Sequence, residues 1–242
     1  MPEEKKIERI AEILRKLYGT PKVTINKGNN ILDVLIATKL SQNTTDKSSY
    51  KAYLNLKKKF DSWDKVRKSG IKEIRECIKV CGLSNTKARE IKEMLNEMNK
   101  NYGSLDLSFL KKLSDEKVYS ELLKYKGIGV KTISCMMNYS LGRDVFPIDT
   151  HIHRVLNRLG VVKTKSAEKT FEEAKDKIKK GKKHELHVNL IKFGRNICRS
   201  VQPLCGDCLL NKECNFENKS KQEKKFLKKE TPQKNFIILE NI

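Results

Sequence analysis

Apolar residues recur at helical spacing along most of this chain of 242 residues. Residues 3–18 carry isoleucines and leucines on one stripe, and a second apolar run extends from near Ile31 through Leu40. Further helical patterns end at short breaks that contain Gly, Asn or Asp, and they cover 71–81, 84–99, 107–112, 115–125, 131–141, 149–159, 167–180 and 184–198. Because no stretch shows the convincing alternation of a half-buried strand, the pattern predicts an all-α fold.

A glycine hairpin, Gly127-Ile128-Gly129, lies between two of the predicted helices. Glycine tolerates positive φ and lets another group come close to the backbone. The N–H groups that open the following helix lack partners within it and carry partial positive charge. Such a turn can bind an anion, which in a basic protein we expect to be a DNA phosphate. An ordinary turn between helices is the alternative interpretation.

Two ionisable side chains follow this hairpin. Lys131 falls in the first turn of the next predicted helix, where the helix dipole disfavours a cation and so favours the neutral amine. A neutral lysine amine is a candidate nucleophile. Asp149, followed by Thr150, is predicted to cap a later helix, where its anionic form is favoured. A solvated lysine and a plain N-cap are the alternative for this pair.

The charge of the chain indicates its partner. Lys and Arg number 52 against 30 Asp and Glu, which gives a net charge of +22. This excess predicts a polyanionic partner and binding that weakens steeply with salt. A lysine-rich proteome is the alternative source of the charge. No segment resembles a signal peptide and no apolar run approaches a membrane span, so we expect a soluble, intracellular protein of the prokaryotic cytoplasm or nucleoid, with no membrane partner.

Four of the seven cysteines have the spacing C-x6-C-x2-C-x5-C and are Cys198, Cys205, Cys208 and Cys214. In a reducing compartment, four thiols in one short loop indicate a metal site rather than disulfides. Because the loop contains a single short pair, it suits a [4Fe–4S] cluster better than a structural zinc ion. The remaining three, Cys77, Cys81 and Cys135, fall among apolar residues and are predicted to be buried.

Two further segments allow more than one interpretation. Leu83, in the break at 82–85, is either a buried core contact or an exposed apolar wedge near DNA. Residues 215–242 contain seven lysines and are predicted to form a basic, mobile tail. The apolar patch at 236–239 could dock on the protein body or on a partner.

Several sequence patterns resemble the endonuclease III family of helix-hairpin-helix DNA glycosylases. They are L-S-Q-N-T-T-D at 40–46, G-L-S-N-T-K-A at 82–88, K-G-I-G-V-K-T at 126–132, F-P-I-D-T-H-I-H-R-V at 146–155 and the cysteine spacing at 198–214. The resemblance covers nearly everything from Leu35 to Cys214.

The resemblance implies two helical domains that flank a DNA-binding cleft. A six-helix barrel that includes the hairpin would span 24–134, and a cluster domain would span 135–214 and pack with the N-terminal helix at 1–23. The family further implies a monomer that binds duplex DNA and flips a damaged base out of the stack, at a cost of a few kcal/mol.

The resemblance also assigns roles in chemistry and phosphate binding. Lys131 is the expected nucleophile at C1′ of the flipped nucleotide, and Asp149 is expected to help activate the lysine or water. The hairpin glycines Gly127 and Gly129 are expected to hold a phosphate. Lys126 stands where the family usually has proline and is expected to add a phosphate contact.

A second group of residues is expected to contact the DNA around the lesion. Asn43, which replaces a glutamine of bacterial members, would fill the space left by the base, and Gln42 lies beside it. Leu83 would wedge into the opposite strand. The four cysteines would hold a [4Fe–4S] cluster that shapes a basic DNA-binding loop, to which Arg199 and Lys212 contribute.

The expected function is therefore a base-excision-repair glycosylase that also has abasic-site (AP) lyase activity. It would remove oxidised pyrimidines from duplex DNA and cut 3′ to the abasic site through a lysine Schiff base. Two alternatives stay open: a monofunctional glycosylase for mismatched thymine or uracil, and a non-catalytic DNA-binding module with a structural metal.

Overall fold

The computed structural model describes residues 3–21, 31–206, 208–219 and 237–242. Within these ranges the regular structure is helical and contains no β-strand, which confirms the predicted fold class. The α-helices are α1 (Glu3–Tyr18), α2 (Ile31–Leu40), α3 (Asp46–Lys59), α4 (Trp63–Lys68), α5 (Ile71–Ile78), α6 (Ser84–Tyr102), α7 (Asp115–Leu122), α8 (Val130–Tyr139), α9 (Thr150–Arg158), α10 (Ala167–Ala174) and α11 (Lys183–Asn196). In the described part of the chain, no helix is long and apolar enough to cross a lipid bilayer.

The described residues form two compact units. The first, called here the cysteine unit, contains 3–21, 144–206 and 208–219. Its central helix is α11, which packs against α1 and α9. Buried residues of α11, among them Leu190 and Phe193, together with Leu14 of α1 and Leu156 of α9, form the apolar core of this unit.

The second unit, called here the hairpin unit, contains 31–143 and 237–242. Its central helix is α2, which packs against α3, α6 and α8. Every residue of α2 except Asp33 is buried. A helix that is apolar on all sides is typical of the middle of a domain, so α2 is a fixed base for the segments that follow it.

Polar side chains set where several helices of the hairpin unit begin. Thr45, Ser62 and Ser114 each accept a hydrogen bond from the backbone N–H three residues later, at the starts of α3, α4 and α7. Such N-caps satisfy donors that have no partner within the helix. The breaks in the hydrophobic pattern therefore coincide with chemically defined helix starts.

Some predicted boundaries are wrong for identifiable reasons. The helix predicted at 167–180 ends at Ala174. Asp144 accepts hydrogen bonds from the backbone N–H groups of Gly181 (2.6 Å) and Lys183 (3.3 Å) in the turn before α11. The segment predicted at 107–112 is a 3₁₀ helix, Ser108–Lys112. Helix α4 was not predicted, since six residues are too few to show a helical period.

The ends of the two units also differ from the predicted ranges. The hairpin unit extends to Arg143, because the predicted boundary at 134 lies inside α8. The last six residues belong to the predicted mobile tail. Within them Ile237, Ile238 and Leu239 are buried, and the 3₁₀ helix Ile238–Glu240 packs on α2 and α3. Of the two partners open to this apolar patch, its own protein body is the one it contacts. The intervening 220–236 of that tail lie outside the described residues.

Candidate active site

The hairpin between α7 and α8 is built around one constrained glycine. Gly127 has φ +75°, and a side chain there would collide with Nζ of Lys39. Gly129 has φ −111° and is the N-cap of α8. Apart from its chain neighbours, no described residue has an atom within 4 Å of a Cβ placed on it. Of these two glycines, Gly127 adopts the positive φ that glycine tolerates and Gly129 does not. The neighbouring Tyr125 and Ile128 are buried and anchor the turn.

A buried ion pair lies directly under this turn. Nζ of Lys39 lies 2.6 Å from Oε2 of Glu90 on α6, and it also donates a hydrogen bond of 3.2 Å to the carbonyl oxygen of Gly127. Nε2 of Gln42 donates to the same oxygen at 3.3 Å. The predicted DNA contact Gln42 is thus exposed but bound to the hairpin.

Lys131 lies where the sequence predicted, in the first turn of α8. Its side chain is half-buried, and the next residue, Thr132, is buried. The hydroxyl groups of Tyr119 and Ser134 are 2.6 Å apart and join α7 to α8. The backbone that carries Lys131 is therefore fixed on both sides, by the hairpin and by α7.

Asp149 is the N-cap of α9, as predicted. Its Oδ1 accepts a hydrogen bond of 2.8 Å from the backbone N–H of Ile152, which orients the carboxyl group. The loop that precedes it is buried from Val145 to Ile148. His187 of α11 is also buried, and its Nδ1 lies 2.8 Å from the carbonyl oxygen of Pro147. Asp149 belongs to the cysteine unit and Lys131 to the hairpin unit.

Asn43 and Leu83 share two unusual features. Both have positive φ, +53° and +47°, and both side chains are exposed. Leu83 exposes 59% of its surface, so the exposed interpretation of this residue is the correct one. Positive φ is strained for a branched apolar residue, and such strain is concentrated at functional sites.

A second buried lysine connects these two segments. Lys87 of α6 donates hydrogen bonds from Nζ to the carbonyl oxygens of Leu40 (2.8 Å) and Cys81 (3.1 Å). Burial lowers the pKa of Lys87. Sequence reasoning missed Lys39, Lys87 and Glu90, because a lysine on a helix is normally expected at the surface.

The four cysteines predicted to bind a cluster line one pocket in the cysteine unit, together with Arg158. All four are half-buried, whereas Cys77, Cys81 and Cys135 are buried as predicted. Nη1 of Arg158 donates a hydrogen bond to the Cys198 sulfur at 3.5 Å, and the Phe216 N–H donates to the Cys214 sulfur at 3.5 Å. Donors of this kind stabilise cluster thiolates.

In its described part, the cysteine loop has the donor chemistry of a metal site but not a formed single-ion site. Among the described residues, no three His, Cys, Asp or Glu side chains lie close enough to hold a single metal ion. Burial raises the pKa of Cys208 to about 11, so the thiolate needs a bound cation to form at neutral pH. Four thiolates are the usual ligand set of a [4Fe–4S] cluster, so the chemistry of these donors fits such a group.

The basic residues predicted to contact DNA differ in exposure. Lys126 in the hairpin and Lys212 in the cysteine loop are exposed. Arg199 is half-buried, its Nε has no hydrogen-bond partner among the described residues, and its carbonyl oxygen accepts a 2.7 Å hydrogen bond from Arg158. The lysines are therefore placed to meet a phosphate more readily than Arg199.

Two helices joined by a glycine turn of the kind that can bind a phosphate define a helix-hairpin-helix protein. A family model for the HhH-GPD superfamily of base excision DNA repair proteins matches residues 36–180. The chain belongs to this superfamily. The match contains the hairpin, Lys131 and Asp149, and it ends before the cysteine loop.

Individual relatives agree with this assignment. The chain is 34% identical to endonuclease III of Sulfolobus acidocaldarius over 193 residues, which cover 78% of this chain and 84% of the relative. It is 37% identical over 183 residues to a candidate DNA glycosylase of Arabidopsis thaliana, which covers 75% of this chain but 60% of that longer protein. A trapped covalent intermediate of endonuclease III with DNA superposes with a TM-score of 0.74 at 25% identity, over 89% of this chain and 97% of that one.

Proposed function

We propose that this protein is a DNA glycosylase with AP lyase activity that acts on oxidised pyrimidines in duplex DNA. The observation that carries the proposal is the position of Lys131, half-buried in the first turn of α8 immediately after the glycine hairpin. A phosphate-binding turn alone has no need of an amine at that position. The covalent DNA intermediate of the related endonuclease III supports the same assignment.

In the proposed reaction, the Lys131 amine attacks C1′ of the flipped nucleotide. The C1′–N bond breaks, the base leaves with the bonding electrons and takes up a proton, and ring opening gives a C1′ iminium. Loss of a C2′ proton then expels the 3′ phosphate, which breaks the strand on the 3′ side. Water finally hydrolyses the iminium and frees the lysine.

Asp149 is proposed to help activate the lysine or water and to stabilise positive charge near C1′. The hydrogen bond that its carboxylate accepts from the Ile152 N–H fixes it at the N-terminus of α9. His187 holds the preceding loop through Pro147 and is a positioning residue.

The DNA duplex is proposed to bind through its backbone at the hairpin and through apolar and polar contacts at the lesion. The N–H groups at the start of α8 and the exposed Lys126 would hold a phosphate. Asn43 and Leu83, both exposed at positive φ, would occupy the space left by the flipped base and separate the opposite strand.

The cysteine loop is proposed to hold a [4Fe–4S] cluster through Cys198, Cys205, Cys208 and Cys214. When bound, the cluster supplies iron–thiolate bonds that close the loop. The chain's own contribution is the pair of N–H donors from Arg158 and Phe216 to two of the sulfurs. The proposed role of this site is structural, in shaping a basic surface for DNA.

Borohydride trapping tests the proposal. Wild-type protein is incubated with a panel of duplexes, each with one lesion, and borohydride is added during turnover. We expect a covalent adduct with oxidised pyrimidines and strand cleavage, and Lys131→Gln should abolish both, a loss of at least about 10³-fold for removal of a nucleophile. An adduct that persists in Lys131→Gln would contradict the assignment of the nucleophile.

The matched control is Lys126→Gln, which removes the exposed hairpin lysine. It should weaken duplex binding and leave the adduct intact. Base release from G:T or G:U mismatches without strand cleavage or adduct would instead identify a monofunctional glycosylase. Equal affinity for intact and damaged duplex without any product would identify a non-catalytic DNA-binding module.

A further inference from the structure

The buried lysine under the hairpin is a costly feature that packing does not require. Lys39 exposes 2% of its side chain and Glu90 exposes 17%. Removing two charges from water costs several kcal/mol each, and apolar residues of the same size are often at least as stabilising. Since α2 is otherwise almost entirely apolar and buried, a methionine or leucine at position 39 would continue its pattern. The pair must therefore be explained by what it contacts.

What Lys39 contacts, apart from its counter-ion, is the hairpin backbone. The Gly127 carbonyl oxygen accepts from Nζ of Lys39 at 3.2 Å and from Nε2 of Gln42 at 3.3 Å. Two side chains from one segment thus bind a single oxygen more than 80 positions away, at sequence separations of 88 and 85. In addition, the ammonium group occupies the space that a side chain at position 127 would fill.

These contacts fix the orientation of the peptide that follows Gly127. The peptide unit is planar, so anchoring its carbonyl oxygen also fixes the direction of its N–H group. The Ile128 N–H then donates to the Tyr125 carbonyl oxygen at 3.1 Å, which closes the turn. Gly129 caps α8 immediately afterwards, and the open end of α8 is the proposed phosphate site.

We propose that Lys39, in its ion pair with Glu90, is a positioning residue. It holds the hairpin in the conformation that binds phosphate and holds α8 in the orientation that presents Lys131. The statement about Lys131 rests on the proposed function. The statement about phosphate binding does not, because it applies to any DNA duplex. Gln42 shares this role from the surface, because it donates to the same carbonyl oxygen. The buried pair contributes a fixed turn geometry rather than stability.

The experiment compares Lys39→Met/Glu90→Gln with wild type, since both replacements keep side-chain size and remove both charges together. Thermal unfolding, duplex affinity as a function of salt, hydrogen exchange of 126–131 in the free protein and single-turnover cleavage are measured. We expect an unfolding temperature close to wild type and faster exchange at 126–131. Duplex affinity should fall roughly tenfold, with a salt slope smaller by about 0.9, the value of one lost phosphate contact.

A matched control comes from α6, the helix that carries Glu90. Lys92 of α6 is half-buried and donates to the backbone carbonyl oxygens of Arg67 (2.8 Å) and Ser69, at the end of α4. Lys92→Met removes a lysine that also binds backbone, but at a segment that does not belong to the hairpin. It should leave the salt slope and exchange at 126–131 at wild-type values, even where it lowers the unfolding temperature.

The outcomes separate this inference from the proposed function. The inference would be overturned if Lys39→Met/Glu90→Gln kept the wild-type duplex affinity, salt slope and hydrogen exchange at 126–131. It would also be overturned if Lys92→Met changed these three quantities in the same way as the double variant. If that double variant does not fold, Gln42→Ala decides, because the exposed glutamine can be removed without disturbing the core. Exchange at 126–131 should then rise in the free protein, and unchanged exchange would overturn the inference. A wild-type protein without lyase activity would refute the proposed function alone, since exchange and salt slope need no chemistry.

Discussion

The hairpin at 126–129 and the cysteine loop at 198–214 both join elements of the fold, but different interactions hold them in place. The hairpin is anchored by the buried side chains of Tyr125 and Ile128. It is also held by the hydrogen bonds that Lys39 and Gln42 donate to the Gly127 carbonyl oxygen. The cysteine loop exposes apolar side chains, with Val201 75% and Leu209 55% accessible. Its four cysteines are half-buried and line one pocket.

This difference indicates which region needs a ligand to be stable. Lys39, paired with Glu90, and Gln42 hold the hairpin from within the protein. The hairpin can therefore form in the free protein, before DNA binds. The cysteine loop is too short to build an apolar core of its own, and small segments of this kind generally need a metal or disulfides. The proposed cluster would hold the loop in a fixed conformation, as Lys39 and Glu90 hold the hairpin.

Removing a cluster ligand should have the largest effect. Cys208→Ala is expected to lose the brown colour of the purified protein and to destabilise the cysteine unit by at least about 3 kcal/mol, because metal binding is coupled to folding. Urea unfolding with visible absorbance and iron analysis measures both. The comparison further predicts that the hairpin unit stays folded, as judged by hydrogen exchange.

The control for this variant is Cys135→Ala, at a buried cysteine of α8 in the hairpin unit. It should keep the colour and cost about 1 kcal/mol, the value for a small core truncation. A colourless wild-type protein that contains zinc, or a Cys208→Ala protein that keeps its iron, would remove the distinction between the two regions.

Arg158 is the main protein contact of the cysteine loop and should give the next largest effect. Its guanidinium donates to the carbonyl oxygens of Arg199 (2.7 Å) and Ser200 (3.1 Å), and it stacks on Phe216 at 4.2 Å. Arg158→Met should destabilise the unit by about 2–4 kcal/mol, since each hydrogen bond from a charged group contributes roughly 1.5–3 kcal/mol. Loss of iron on dilution into chelator should also become faster.

The surface ion pair between Arg9 and Glu213, at 3.0 Å, supplies the control. Arg9→Met removes an arginine of the same unit whose side chain is 57% exposed, so it should change stability little. If Arg9→Met and Arg158→Met behaved alike, contacts from the protein would have no special role in the cysteine loop.

The sequence predicted the parts of the fold that depend on local patterns. The all-α class, the positions of α8 and α9, the N-cap at Asp149 and the burial of Cys77, Cys81 and Cys135 all agree with the structure. Each of these follows from hydrophobic period, capping chemistry or apolar neighbours within a few residues. The cluster ligands, by contrast, stay a prediction from spacing.

Features that depend on distant residues could not be predicted. A lysine or a glutamate on a helix is normally expected at the surface, and nothing near Lys39 or Glu90 in sequence shows that they meet under Gly127. The burial of Ile237–Leu239 likewise depends on α2 and α3, nearly 200 positions earlier: Ile238 bonds to Asp46 at a separation of 192. In each case a long-range contact overrides a local pattern.

The smallest effect, and the sharpest test of the hairpin side, comes from its two glycines. Gly127→Ala should cost about 1–3 kcal/mol, because alanine is strained at φ +75° and its methyl group meets Lys39. Gly129→Ala should stay within about 0.5 kcal/mol of wild type, since the entropy gain of alanine offsets the loss of a better N-cap residue. Urea unfolding of both variants measures the difference.

The same two variants separate conformation from phosphate approach. Gly129 lies at the open start of α8, where no described residue apart from its chain neighbours has an atom within 4 Å of an added methyl group, so the group that this methyl would meet is the proposed phosphate. Gly129→Ala should therefore weaken duplex binding while it leaves stability unchanged, whereas Gly127→Ala should reduce both. Equal destabilisation by the two substitutions would show that the turn is a uniform glycine hinge, and the contrast between a pre-formed hairpin and a cluster-dependent loop would then fail on the hairpin side.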